Sequence, residues 1–95
     1  MDNVYYSNLF DYYGELFTDK QKEYFIDYYF NNLTLQEIAD NNNVTKNAVH
    51  KNIKDMAMKL DYYEEKLKLY SNKKQIENLI KDLDVDIKRK IEELI

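Results

Sequence analysis

Between Leu35 and Ile53 the residue types fall at offsets that leave few ways to fold. Leu35, Ile38 and Ala39 put an apolar face on a short helix, and Ala39 is small at the point where a following helix would cross. Asn43 comes four residues later, at a turn position where the backbone commonly has positive φ, and Asn tolerates that region well. Val44 plugs the turn, Thr45 can cap the next helix, and Val49 faces back with Ala48 and Ile53 beside it. Apolar spacing alone would suit any helical hairpin. The small residue, the residue tolerant of the left-handed region and the cap at these separations predict a helix-turn-helix over residues 34–54.

The rest of the chain is written for helices too. It contains no proline and a single glycine, Gly14, so little punctuates strands or hairpins. A first helix is predicted from about Asn3 to Leu16, with Tyr6, Leu9, Phe10, Tyr13, Leu16 and Phe17 on its apolar side; Gly14 permits close packing or ends it. Thr18 and Gln21 form a capping box for a second helix, which buries Phe25, Ile26, Tyr28 and Tyr29 and ends at Asn31-Asn32. Thr34 and Glu37 form another box, opening a short helix to about Asn41. From Thr45 onward, Val49, Ile53, Met56, Leu60, Tyr63, Leu67 and Tyr70 recur at steps of four and three. This heptad seam is about 22 residues long, or ~33 Å. Ser71 can cap a further helix carrying Ile76, Leu79, Ile80 and Leu83, and Asp84 can restart the chain with Ile87, Ile91 and Leu94. The expected fold is all-α: a small helical bundle containing a helix-turn-helix, whose long second helix continues into C-terminal helices. Residues 1–70 would form the helix-turn-helix domain. Residues 71–95 would be an extension packed on that domain or on a dimer partner, with Leu60, Tyr63, Leu67 and Tyr70 as a candidate seam for helix packing or dimerisation.

Charge narrows the choice of partner. The net charge is −4 over 95 residues. Residues 1–33 carry −4, residues 34–60 carry +1, residues 61–70 carry −1, and residues 71–95 balance. The one stretch with a positive sum is the helix-turn-helix, so the field is polarised but weak. No cysteine is present, which excludes disulfides and thiolate metal sites and suits a reducing cytosol. No stretch approaches the roughly 20 apolar residues of a membrane span, and the N-terminus lacks a signal-peptide pattern, so a cytoplasmic location is expected, with no membrane partner.

The candidate nucleic-acid residues follow from helix geometry. Thr45, Lys46, Asn47, His50, Lys51 and Lys54 point away from the Val49/Ile53 face, where the second helix of such a unit enters a major groove. The lysines suit phosphates and Asn47 suits adenine, while Thr34 and Gln36 sit where the first helix would meet the backbone. Arg89 is the only arginine, so the bidentate arginine–guanine contact is missing here. DNA, RNA and protein therefore all remain open as partners. The tyrosine pairs Tyr5-Tyr6, Tyr12-Tyr13, Tyr28-Tyr29 and Tyr62-Tyr63 could stack bases, but their helical spacing fits a core with polar rims better. Acid pairs such as Asp11/Glu15 and Glu64/Glu65 read as solvated helix faces. No Gly-rich phosphate loop, metal-spaced ligand set or nucleophile–base pair occurs, so neither an enzyme nor a cofactor or metal is expected.

The run from Leu9 to Tyr24, LFDYYGELFTDKQKEY, resembles the opening of the YlxM-type family of helix-turn-helix proteins. So do Leu35-Gln36-Glu37-Ile38-Ala39, Val44-Thr45-Lys46-Asn47-Ala48-Val49, Asn52-Ile53-Lys54 and the tail Tyr63-Glu64-Glu65-Lys66-Leu67. The resemblance covers about residues 9–70. It implies a bacterial cytoplasmic protein similar to region 4 of sigma factors, and it links the chain to the signal recognition particle pathway, with components of that particle as partners. Asn43 stands where the motif usually has glycine, and Lys46 where it often has arginine.

Overall fold

The computed structural model describes residues 3–95. Six α-helices follow one another: α1 (Asn3–Tyr13), α2 (Asp19–Tyr29), α3 (Leu35–Asn42), α4 (Lys46–Leu67), α5 (Leu69–Ile80) and α6 (Val85–Glu92). There is no strand among the described residues. A 3₁₀ turn, Gly14–Leu16, closes α1 earlier than the sequence periodicity predicts. Gly14 explains the tightness: a Cβ there would lie 3.1 Å from the Phe10 ring.

Both predicted capping boxes form. Thr18 Oγ1 accepts the Gln21 amide at 3.2 Å, and Thr34 Oγ1 accepts the Glu37 amide at 3.1 Å. The Gln21 and Glu37 side chains accept the Thr18 and Thr34 amides in return. Each box satisfies amides that the first helical turn leaves without a carbonyl partner. Asn32 ends the α2 region with φ 56°, as Asn is able to do.

One core lies where α1, α2, α3 and α4 converge. Leu9, Phe25, Ile38, Ala39, Val49, Ile53, Met56 and Leu60 are fully enclosed there. Aromatic rings widen it: Phe10 stacks on Phe25 with centroids 4.4 Å apart, and Phe25 stacks on Tyr29 at 4.3 Å. Two predicted core positions turn outward, since Leu16 lies in the 3₁₀ turn and Ile26 sits at the edge of the α2 face. Tyr24 takes the buried place on α2 instead.

The heptad seam is not one continuous stripe. α4 ends at Leu67, Lys68 adopts the left-handed conformation (φ 56°, ψ 28°), and α5 starts at once in a new direction. Ser71 is therefore inside α5 and caps nothing, whereas Asp84 does cap α6, accepting the Asp86 amide at 2.9 Å. The seam's distal part is covered chiefly by α1. Leu60 is buried, Tyr63 meets Tyr13 and Phe17, and Tyr70 meets Tyr5 and Tyr12. Leu67, at the break, is 52 % exposed and drops out of the seam. Beyond it, α5 rests on α1 and α4, while α6 leaves Val85 and Ile87 facing outward, as does Leu94 just past its end.

Candidate nucleic-acid interface

The helix-turn-helix is built from α3, the turn Asn43–Thr45 and the N-terminal half of α4. Asn43 has φ 55° and ψ 42°, and the Val44 amide donates to the Ala39 carbonyl at 3.1 Å. This closes α3 with the left-handed residue the turn requires. Ala39, Ile38, Val49 and Ile53 have no exposed surface, so the two helices cross through a small residue against branched ones. Thr45 Oγ1 accepts the Ala48 amide at 3.1 Å and starts α4. Two asparagines brace the unit from within: Asn42 Nδ2 donates to the Ile38 carbonyl and Asn52 Nδ2 to the Ala48 carbonyl.

All eight predicted contact residues, Thr34, Gln36, Thr45, Lys46, Asn47, His50, Lys51 and Lys54, are exposed. Thr34, Gln36 and Lys46 share one open cleft of about 460 Å³ with Tyr28 and Asn32, where the α2–α3 connection meets the start of α4. Lys46, His50 and Lys54 follow at i+4 spacing along α4, with Asn47 and Lys51 on the adjoining stripe. Among the described residues, none of these five makes an ion pair or a side-chain hydrogen bond within the protein, so their polar groups face outward unspent. The ion pairs that do form, Lys20–Glu23 and Lys22–Glu15, lie on α2 and beside it. Gln36 is committed differently, since its Nε2 donates to Asp40 Oδ1 at 2.8 Å. The surface is a lysine-bearing helix presented by a rigid turn, able to meet phosphates and base edges. Among the described residues no cluster of metal-ligating side chains occurs, and no helix is long and apolar enough to cross a membrane.

A polar site elsewhere departs from the sequence reading. Glu64 is not solvated: it is 8 % exposed and faces the junction of α1, α4 and α5. Tyr13 donates its hydroxyl to Glu64 Oε1 at 2.7 Å and accepts the Leu69 amide at 3.1 Å. Glu64 Oε1 also accepts the Tyr70 amide and Oε2 the Ser71 amide, at 3.2 and 3.0 Å. A carboxylate and a phenol from outside α5 thus supply the cap its first turn needs. Burial first, and the bond to Glu64 second, push the Tyr13 hydroxyl up to about 12. The sequence signal was available, because Glu64 follows Ala57 and Leu60 at helical spacing and so falls on the buried face of α4.

A short helix crossed on the start of a long one, a left-handed Asn turn and an outward lysine stripe define a helix-turn-helix protein. The chain belongs to the UPF0122 family, described as "putative helix-turn-helix protein, YlxM / p13 like", whose profile matches residues 1–95. A UPF0122 protein of Malacoplasma penetrans is 46 % identical over 94 residues, covering 93 % of this chain and 88 % of the relative. One from Fusobacterium nucleatum is 44 % identical over 90 residues, covering 94 % and 87 %. One from Listeria welshimeri is 40 % identical over 82 residues, covering 86 % and 74 %.

Proposed function

We propose that the chain is a non-catalytic accessory or regulatory protein of the cytoplasm that docks duplex DNA through the N-terminal turns of α4. The observation that carries this reading is the set Lys46, Asn47, Lys51 and Lys54, exposed on a helix-turn-helix and free of intramolecular partners among the described residues. In this mode α4 enters the major groove and α3 crosses the backbone, with Thr34 and Gln36 on the phosphate side. The lysines neutralise phosphates, and Asn47 offers the bidentate pair that suits adenine. Without an arginine on α4, affinity comes mainly from counterion release and discrimination among sequences is modest. The test is the salt dependence of duplex binding. Each lysine–phosphate contact adds about 0.9 to the slope of log K against log salt, so Lys46→Ala with Lys51→Ala lowers the slope by about 2. A slope indifferent to both changes overturns the assignment of this face.

The net charge of −4 and the missing arginine favour a second reading, in which the same module is an adaptor whose exposed helix contacts protein. The likeness to the YlxM family extends that reading to the signal recognition particle, as an accessory of the protein-targeting pathway that meets the particle's protein or RNA. Recovery of neither on pull-down from the native cell removes that extension.

A further inference from the structure

We propose that the C-terminal arm, α5 with α6, is exchangeable: it docks on α1 of its own chain in the closed form and on α1 of a second copy in an arm-exchanged dimer, with Lys68 as the hinge. Three observations meet at this residue. Lys68 holds φ 56°, a region that costs a side-chain-bearing residue energy and persists only where the surroundings impose it. From Glu64 to Asn72 the sequence EEKLKLYSN contains neither glycine nor proline, so nothing in it demands a break. The break is held by two side chains, Tyr13 from α1 and Glu64 from α4 one turn before the bend, which accept the Leu69, Tyr70 and Ser71 amides.

Straightening the hinge leaves no backbone group stranded. The same amides find the carbonyls of Glu65, Lys66 and Leu67 four residues back once α4 and α5 run on as one helix. What straightening removes is the docking of α5 on α1, where Tyr70 meets the Tyr5 and Tyr12 rings and Asn8 Nδ2 donates to the Tyr70 hydroxyl at 3.3 Å. A second copy supplies that docking in full, because every one of those contacts joins α1 to α5 and re-forms unchanged between chains. Exchange therefore trades the Glu64 and Tyr13 caps for helical bonds and relieves the left-handed residue, which is the low-cost route to a two-fold dimer. The shape is consistent with a separable arm. The radius of gyration is 16.6 Å and the long axis 53 Å, against about 12 Å expected for the radius of a compact chain of this length.

The experiment uses the full chain, which has no native cysteine. Asp11 and Lys74 line one groove between α1 and α5. Chains carrying only Asp11→Cys are mixed with chains carrying only Lys74→Cys, annealed warm at hundreds of micromolar, and treated with a short bismaleimide; sedimentation velocity reports mass in parallel. The expected result is a dimer in which the mixed cross-link exceeds both same-variant cross-links. Lys68→Gly favours the bend and disfavours the straight helix at two hinges per dimer, so it lowers the association constant by roughly a hundredfold or more. Glu64→Ala releases the cap and raises it. A strict monomer after annealing, a dimer lacking the mixed cross-link, or both hinge variants shifting the dimer in the same direction overturns the proposal.

Discussion

Replacing Tyr13 by Phe removes one oxygen from the α1–α4–α5 junction and leaves the ring in its pocket, so no cavity term enters. The hydroxyl donates to Glu64 Oε1 at 2.7 Å and accepts the Leu69 amide at 3.1 Å. A hydrogen bond to a buried charged group is worth about 1.5–3 kcal/mol net, and a stranded partner costs about 1–3 kcal/mol. The two figures overlap, because Glu64 keeps the Tyr70 and Ser71 amides, and Leu69, 46 % exposed, can turn its freed amide to water. The lower part of the range applies, so the expected loss is about 2 kcal/mol. For a domain of this size that lowers the Tm by roughly 8–16 °C. Urea titration followed by far-ultraviolet circular dichroism measures it, and a double-mutant cycle with Glu64→Gln isolates the pair. A loss below about 0.5 kcal/mol, the range of ordinary surface substitutions, refutes the reasoning.

The same junction makes stability sensitive to alkali. Burial pushes Tyr13 and Tyr29 up to about 12 from 10.0, so the folded state holds protons the unfolded chain has released. Their contribution is complete below pH 10 and is lost as pH rises toward 12. Urea midpoints should stay level up to that onset and then fall, less steeply in Tyr13→Phe; a level midpoint throughout contradicts the burial argument. At the helix crossing, Ala39→Leu forces a larger side chain between α3 and α4, where Ala39 has no exposed surface. It should cost about 1–3 kcal/mol. It should also weaken duplex binding beyond the stability loss, because α4 tilts away from α3; unchanged binding by a folded variant would separate the crossing from the interface.

Much of the fold was legible because its signals are local. Thr18, Thr34, Thr45 and Asp84 cap helices as their sequence contexts predict, and Asn43 takes the left-handed turn. The outward residues of α4 were legible for the same reason, since exposure on a regular helix follows from the buried Val49/Ile53 face. Periodicity misplaced Leu16 and Ile26, because it marks a face without saying where the neighbouring helix stops covering it.

The sequence by itself determined that this chain is helical, where most of its helices begin, and that residues 34–54 make a helix-turn-helix. Those outcomes rest on capping, backbone preference and spacing within a few residues. Only the tertiary structure decided that the heptad seam breaks at Lys68 and that Glu64 is a buried cap. It also decided that α1 rather than the C-terminal helices covers most of the distal seam. The physical reason is that Leu69 meets Tyr13 across a separation of 56 residues. A run of good helix formers cannot announce a bend that a distant phenol and a buried carboxylate impose.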